Sequence, residues 1–312
     1  MRLHTKIPLS PQDTTIDYGS KVVLLGSCFA QHIGDKLDYF KFQHHCNPFG
    51  VLFHPFAIQR IVDRAINELA FTEDDIFLKD DRWHCLETHS LITTSNKEEL
   101  LALLNQRLAE LKKHLSDATH FVITLGSAWG YRHLATNRVV GNCHKLPQKE
   151  FSKELSEVAA ISNCLQELFT GLKLLNKEVQ IISTVSPVRH IKDGIIENSR
   201  SKAHLLAGLH ALVSHEYFPS YELMLDEFRD YRFYDRDLVH PNDLAIDLIW
   251  NAFKEVWLDP ATESVQQEVD GIQKGLHHKP FQPESASHKK FQAALQQRIK
   301  TLQERFPHLL FS

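Results

Sequence analysis

Two segments of the sequence carry side chains that can perform acyl-transfer chemistry. Ser27 and Cys28 stand side by side in VVLLGSCFAQHIGDKL, and Asp237 and His240 lie three residues apart in YRFYDRDLVHPND. A serine hydroxyl becomes an effective nucleophile when a base removes its proton, and a histidine oriented by a carboxylate can be that base. The residue types therefore predict a Ser27–His240–Asp237 triad, with Cys28 as an alternative nucleophile.

Each segment also has an ordinary structural explanation. A Gly-Ser pair after a strand is a common turn, and Asp and His recur near the beginnings of helices. Cys28 can become a thiolate at a helix N-terminus, but the sequence provides no partner set for it. The catalytic interpretation is favoured over the structural one because both segments are expected at the same edge of one sheet.

The surrounding pattern predicts a parallel sheet covered by helices on both faces. Buried strands are predicted at 21–26, 120–130 and 178–190, with shorter strands at 39–50 and 221–227. Amphipathic helices are predicted at 55–69, 97–115, 150–176, 199–214 and 243–257. Strands that alternate with helices in this way indicate a three-layer α/β domain.

This arrangement predicts where the chemistry takes place. Ligands of open α/β sheets bind at the carboxyl ends of the strands. Ser27 leaves the first predicted strand there, and Asp237 follows the last one. Pro241 suits the first position of the next helix, which would hold His240 at a helix start.

Three further segments lie outside the alternation of strands and helices. Hairpins are predicted at 76–90, turning at Asp80-Asp81, and at 131–147, turning near Thr136-Asn137. We expect these hairpins to form flaps over the site. For residues 262–312 we predict a helical appendage, whose last helix has an apolar stripe on one face formed by Phe291, Leu295, Ile299 and Leu302. That stripe is expected to pack on the main domain, with a homodimer contact through the C-terminal helix as the alternative.

Composition excludes several classes of function. The 312 residues carry a net charge of -4 with no long basic block, which argues against nucleic acid and membrane surfaces as partners. The first twenty residues lack the apolar stretch of a signal peptide, and the five cysteines include no CxxC pair, so a cytoplasmic location is expected. The 20 histidines lack metal-ligand spacing, and we predict no metal and no cofactor.

The sequence resembles a known family. GSCFA at 26–30 is the signature of the GSCFA family, which is grouped with the SGNH/GDSL-type hydrolases, and NPFGVLFHP, TLGSAWGY, NCHKLP and TVSPVRH resemble its further blocks in order. The resemblance covers 1–258. It implies a three-layer α/β/α flavodoxin-like SGNH-hydrolase fold with a central parallel sheet, followed by a C-terminal helical extension at 259–312.

The resemblance also implies roles for individual residues. Ser27 would be the nucleophile, with Asp237 and His240 as its partners. The oxyanion hole would use the N–H groups of Ser27 and Gly50. A third donor, an asparagine expected shortly after Gly126, is absent from the segment Gly-Ser-Ala-Trp at 126–129. Asn142 is assigned to that place, with Ser127 or a backbone N–H as alternatives.

The predicted activity is that of a serine esterase acting through an acyl-enzyme. Its substrate would be a small acyl ester or an O-acetylated carbohydrate, and His144, Arg189 and His190 are candidate substrate contacts. Two alternatives stay open. The first is a non-catalytic carbohydrate- or ligand-binding module on the same scaffold, which the missing asparagine favours. The second is an acyltransferase, which shares the acyl-enzyme with a hydrolase.

Overall fold

The computed structural model of the chain describes residues 5–311. Within them the strands are β1 (Lys21–Gly26), β2 (Gln43–Cys46), β3 (Ile76–Lys79), β4 (Arg82–Cys85), β5 (His120–Leu125), β6 (Trp129–His133), β7 (Arg138–Val139), β8 (Phe151–Leu155), β9 (Gln180–Val185) and β10 (Glu216–Tyr217). The α-helices are α1 (Cys28–Tyr39), α2 (Pro55–Ile66), α3 (Lys97–Asp117), α4 (Val158–Leu175), α5 (Ile195–His210), α6 (Ser220–Glu222), α7 (Asp243–Trp257), α8 (Glu263–His277) and α9 (Ala286–Arg305).

The central sheet has five parallel strands in the order β10-β9-β5-β1-β2. Successive side chains of β1 point to opposite faces, as the pleat requires. Val23 and Leu25 join an apolar cluster with α2 to α5, whereas Val22 and Leu24 join a second cluster with α1, α7, α8 and α9. The predicted α/β architecture, with a parallel sheet between two helical layers, is confirmed.

Both predicted hairpins are present. The β3–β4 hairpin turns at Asp80 and Asp81, whose φ angles of 49° and 57° are typical of a tight two-residue turn. The second hairpin, β6–β7, belongs to a three-stranded antiparallel sheet in the order β7-β6-β8. We call this sheet the flap. β8 corrects the prediction of one helix over 150–176, because the buried ring of Phe151 and the pairing to β6 hold 151–155 extended, and α4 begins only at Val158.

Two other predictions near the site are wrong. Residues 221–227 are helical, with α6 continuing into a π-helical turn at Leu223–Glu227. Leu223 and Met224 are adjacent and both buried, which the alternation of a half-exposed strand does not allow. In addition, α7 begins at Asp243 and not at Pro241, because the side chain of Asn242 caps it by accepting the N–H of Ala245 at 3.1 Å.

The C-terminal helices pack against the sheet domain. Leu295, Ile299 and Leu302 of α9 are buried in the same apolar cluster as Trp250 of α7. The intramolecular packing predicted for the stripe is therefore present for these three residues, whereas Phe291 is 42% exposed. The boundary at 258/259 and the homodimer contact stay predictions, and the ends of the two predicted domains, at 1–4 and at 312, lie outside the described residues.

None of the helices in 5–311 is long and apolar enough to cross a membrane.

Candidate functional site

Ser27 lies at the junction of β1 and α1. Gly26 before it has φ +148°, and a Cβ on Gly26 would lie 2.3 Å from the carbonyl oxygen of Thr124, so the junction requires glycine. The Ser27 Oγ accepts the N–H of Phe29 at 3.3 Å and caps the helix. Ser27 is only 1% exposed. The local sequence thus places a buried hydroxyl at the carboxyl edge of the sheet.

Asp237 and His240 form a hydrogen-bonded pair in an exposed loop. The Asp237 Oδ2 lies 2.6 Å from the His240 Nδ1, and its Oδ1 accepts the backbone N–H groups of Val239 and His240. The N–H and the ring of His240, followed by the N–H of Val239, lower the pKa of Asp237 to about 2. Asp237 is therefore a carboxylate at neutral pH that fixes the orientation of the His240 ring.

One backbone hydrogen bond joins this loop to the end of β9. The Arg189 N–H donates to the Val239 carbonyl at 3.1 Å, which brings His190 and His240 to the same edge of the sheet. The charge of His240 contributes to lowering the pKa of His190, after burial and Lys202. Within the described residues no hydrogen bond joins the His240 ring to the Ser27 Oγ. The Asp237–His240 pair thus lies at the same edge of the sheet as Ser27, but the hydrogen bond from His240 to the serine is not formed.

A polar face of α5 supports the buried side of the site. Asn198, Ser201 and Lys202 are all at least 94% buried although they lie on a helix. The Asn198 side chain accepts the His190 N–H at 2.8 Å, and the Ser201 Oγ accepts the Ala128 N–H at 2.7 Å. These residues were not singled out from the sequence. Their spacing of three and four residues on one helix face was the available signal.

Lys202 is the central member of that face. Its Nζ donates to the carbonyl oxygens of Gly126 at 2.7 Å and Ser186 at 2.8 Å, at the ends of β5 and β9. Burial lowers the pKa of Lys202 to about 7, and Cys28 opposes that shift. Burial also raises the pKa of the Cys28 thiol, and the nearby Lys202 only partly offsets it. Cys28 is therefore a protonated thiol at neutral pH, which weakens it as the alternative nucleophile.

The N–H groups expected to bind an oxyanion have other partners in the structure. The Ser27 N–H donates to the Thr124 carbonyl at 3.0 Å, and the Gly50 N–H donates to the Asn47 carbonyl at 2.8 Å. Gly50, at φ +73°, is needed for the turn itself, since a Cβ there would meet the Cβ of His89 at 2.4 Å. Neither N–H is free in this structure, and the assignment of Ser27 and Gly50 as oxyanion donors stays a prediction.

Asn47 has a role that the sequence did not reveal. Its Oδ1 accepts the Gly26 N–H at 2.9 Å and so joins the loop after β2 to the Ser27 turn.

Ser127, the alternative oxyanion donor, is also engaged. Its Oγ lies 3.1 Å from the Ser201 Oγ and accepts the Trp129 N–H at 3.0 Å.

The other candidate residues lie in three different surroundings. His144 is 4% exposed, and its Nε2 lies 2.7 Å from the Cys85 carbonyl, so it joins the loop between β7 and β8 to the end of β4. The Arg189 guanidinium lies 4.0 Å from the centre of the Tyr234 ring, a cation–π contact with the loop before Asp237. Asn142 accepts the His144 N–H at 2.8 Å through its Oδ1 and borders a cleft.

His190 lies near Ser27, on the other side of Gly126. A Cβ placed on Gly126 would be 3.0 Å from the His190 Nε2 and 3.4 Å from the Ser27 Cβ. That imidazole nitrogen is buried and has no hydrogen-bond partner within the described residues. Gly126 therefore lets the serine and the histidine pack closely against the same stretch of backbone.

The cleft beneath the flap has a volume of about 610 Å³. Phe53, Trp129, Tyr131, Asn142, Lys145 and Lys153 are among the residues that line it. The Phe53 Cβ also lies 2.7 Å from the Cβ position of Gly126, and its ring centre is 5.4 Å from that of His190. Phe53 thus contacts both the cleft and the backbone at Gly126, close to Ser27.

Among residues 5–311, no group of three or more His, Cys, Asp and Glu residues is placed to hold a metal ion.

Comparisons with known families confirm the GSCFA part of the sequence resemblance. The model of the GSCFA family matches residues 21–253, and that of the GSCFA domain protein, C-terminal domain, matches residues 269–312. The second match extends the resemblance to the C-terminal helices. No curated protein matches the chain.

Proposed function

The chain belongs to the GSCFA family, and on that premise we propose that it is a serine acyl hydrolase of the SGNH type. The observation that carries the proposal is the 2.6 Å hydrogen bond between the Asp237 Oδ2 and the His240 Nδ1, in a loop bonded to the strand end beside Ser27. An imidazole oriented by a carboxylate, on the same edge of the sheet as a strand-end serine, provides the groups needed for general-base activation of the hydroxyl.

The sheet order supports the SGNH assignment. Numbered only among the five sheet strands, the order is 2-1-3-4-5, which is the order of flavodoxin-like doubly wound sheets. Ser27 follows the first of these strands, next to the position at which the order reverses. Ligands of such sheets bind at that position, outside the carboxyl ends of the strands.

The proposed reaction has two symmetrical halves. The Ser27 Oγ forms a bond to the ester carbonyl carbon while its proton passes to the His240 Nε2, and the carbonyl electron pair moves to oxygen. Collapse of this tetrahedral species breaks the bond to the alcohol oxygen, which takes the proton from His240. Water then attacks the acyl-enzyme through the same base and releases the acid. Asp237 stabilises the imidazolium and keeps its charge throughout.

One rearrangement is required before the first step. The Ser27 Oγ accepts a hydrogen bond from Phe29 and is buried, while the side chain of His240 is 43% exposed. The exposed loop has to approach the serine, because the base must lie within about 3 Å of the proton that it removes. Hydrogen bonds of this kind often tighten only when the substrate is bound.

The proposed substrate is a small acyl ester or an O-acetylated carbohydrate that lies in the cleft beneath the flap. Trp129 and Tyr131 provide the aromatic surfaces on which sugar rings pack, and Asn142 and Lys145 provide polar groups beside them. An acyltransferase would use the same acyl-enzyme with an alcohol in place of water. Partition of the acyl group between water and added alcohols distinguishes the two activities.

A fluorophosphonate probe tests the proposal. Wild-type protein is expected to be labelled, and Ser27→Ala is expected to lose the label. Ser127→Ala is the matched control, because Ser127 also follows a Gly at the end of a buried strand but its Oγ is engaged by Ser201 and Trp129. Cys28→Ala should keep the label. Loss of the label in Cys28→Ala alone would transfer the nucleophile role to the thiol.

A second candidate function rests on the burial of Ser27. A non-catalytic ligand-binding module would need the cleft but not an accessible nucleophile, and Ser27 is 1% exposed while it caps α1. This function predicts no fluorophosphonate labelling of the wild-type protein, together with saturable binding of acetylated oligosaccharides that is unchanged in Ser27→Ala. The labelling experiment therefore separates the two functions directly.

A further inference from the structure

We propose that the Nε2–H of His190 is a catalytic hydrogen-bond donor, which binds the oxyanion formed when Ser27 attacks an acyl carbonyl. The inference rests on the proposed hydrolase function and identifies the side chain that completes its site. Acyl transfer of this kind needs a donor aimed at the developing oxyanion. In this structure the N–H groups of Ser27 and Gly50 donate to carbonyl oxygens, so these two expected donors are already engaged.

The geometry around Gly126 favours His190 over other side chains. The point that a Cβ of residue 126 would occupy lies 3.0 Å from the His190 Nε2 and 3.4 Å from the Ser27 Cβ. A Cβ there would also lie 2.7 Å from the Phe53 Cβ, so glycine at 126 is what lets the imidazole and the serine approach the same stretch of backbone. The His190 Nε2 is buried and has no partner in the described part of the chain, so it is a polar atom available to a ligand.

The ring is held in place from three directions. The Asn198 Oδ1 accepts the His190 backbone N–H at 2.8 Å. The preceding Arg189 N–H bonds to Val239, and the Phe53 ring packs against the imidazole with ring centres 5.4 Å apart. A donor fixed in this way costs little reorganisation when the oxyanion forms.

His190 fits the role of a neutral donor and not that of a base. Burial, followed by the nearby charges of Lys202 and His240, lowers its pKa to about 3. The imidazole is therefore neutral at pH 7 and carries one N–H, which the proposal places on Nε2. A neutral imidazole can donate to an oxyanion without giving up its proton. The proton of Ser27 then passes to His240, and the two histidines have separate tasks.

Phe53 borders both the cleft and the backbone at Gly126. Because Ser27 and the His190 Nε2 are both buried, an acyl group can reach them only after neighbouring side chains move, and Phe53 is one of these neighbours. So enclosed a position favours a short acyl group such as acetyl over a long one.

The decisive experiment compares His190→Phe with His190→Gln. Phenylalanine keeps the ring shape and removes the donor, and glutamine returns an N–H at a similar reach. We expect His190→Phe to lower the rate constant of fluorophosphonate labelling and kcat for 4-nitrophenyl acetate by about 10²–10³, with little change in KM. His190→Gln should recover at least about tenfold of that loss. His288→Phe, on α9, is the control for a histidine replaced outside the site.

The outcomes separate this inference from the proposed function. Wild-type protein that is not labelled overturns both. Wild-type labelling that depends on Ser27, combined with His190→Phe within about threefold of wild type, overturns the donor role alone. If His190→Phe does not fold, nitrogen-15 NMR of the wild-type phosphonylated adduct decides. A His190 signal with the proton on Nε2 and shifted downfield supports the proposal, and a proton on Nδ1 contradicts it.

Discussion

The nucleophile and the base of the proposed site lie in opposite kinds of structure. Ser27 is enclosed between two strand ends, with a glycine before it and the polar face of α5 below it. Asp237 and His240 lie in an exposed loop with side chains that are 49% and 43% exposed. The buried half obtains its geometry from packing, whereas the exposed half obtains it from hydrogen bonds within four residues. Substitutions should therefore separate stability from activity.

Asp237→Asn should have the largest effect on activity and almost none on folding. Asparagine offers an N–H to the ring and favours the wrong tautomer of His240, which is expected to lower kcat for an acyl ester by about 10⁴. Because the loop is exposed, Tm should stay within about 3 °C of wild type. Steady-state kinetics and a thermal melt measure the two quantities. A loss of kcat smaller than tenfold would contradict the assignment of Asp237.

Lys202→Met, in the buried half of the site, should mainly lower stability. The variant leaves the Gly126 and Ser186 carbonyl oxygens without their buried donor, and the free energy of unfolding should fall by about 2–4 kcal/mol. Lys113→Met, at an exposed position on α3, is the matched control and should change it by less than about 0.5 kcal/mol. Urea denaturation provides the measurement. Equal effects in the two variants would mean that Lys202 does not support the strand ends.

The pH dependence of stability provides a second test of the buried half of the site. The pKa of Lys202 is about 7 in the folded protein and about 10.4 in the unfolded chain, so the unfolded chain binds the extra proton between these values. Stability should therefore rise with pH above 7 through this residue, by at most about 1.4 kcal/mol per pH unit. Buried cysteines with raised pKa values oppose this rise of stability with pH, but they are the same in wild type and in Lys202→Met. The difference in unfolding free energy between wild type and Lys202→Met, from pH 7 to 8.5, isolates Lys202, and a flat difference would contradict its depressed pKa.

The smallest expected effect concerns Leu238, between the two members of the exposed pair. Its φ of +57° places a branched side chain in the left-handed region, which costs about 1 kcal/mol. Leu238→Asn should raise the free energy of unfolding by about 0.5–1 kcal/mol, because asparagine tolerates that region. Leu244→Asn, at an exposed position within α7, should lower it slightly through helix propensity. Changes of the same sign in both variants would exclude strain at Leu238.

The sequence predicted the parts of the molecule that depend on local pattern. The strand, turn and helix around Ser27 follow from an apolar run that ends at Gly26, and the Asp237–His240 contact follows from a spacing of three residues. The helical conformation of 221–227 was missed because YELMLDE carries an apolar pattern that fits a short strand as well as a helix. In that segment, burial of two adjacent residues decides the structure, and burial is a tertiary property.

The polar support of the site was harder to predict. Asn198, Ser201 and Lys202 have the composition of a solvated helix face, and only the packing of α5 against the strand ends shows that they are buried. Whether a backbone N–H such as that of Gly50 is free also depends on the turn that it closes, which residue types do not specify. The proposal of His190 as the oxyanion donor therefore depends on distances between residues that are far apart in the chain.

The hydrogen bond from the Arg189 N–H to the Val239 carbonyl connects the rigid half to the exposed half. Each time the loop with Asp237 and His240 moves away from the sheet, that single amide proton becomes open to exchange with solvent. Its protection against deuterium exchange therefore measures the free energy of detaching this loop from the end of the sheet. A covalent adduct on Ser27 that draws His240 inward should slow the exchange of this one proton more than that of its neighbours.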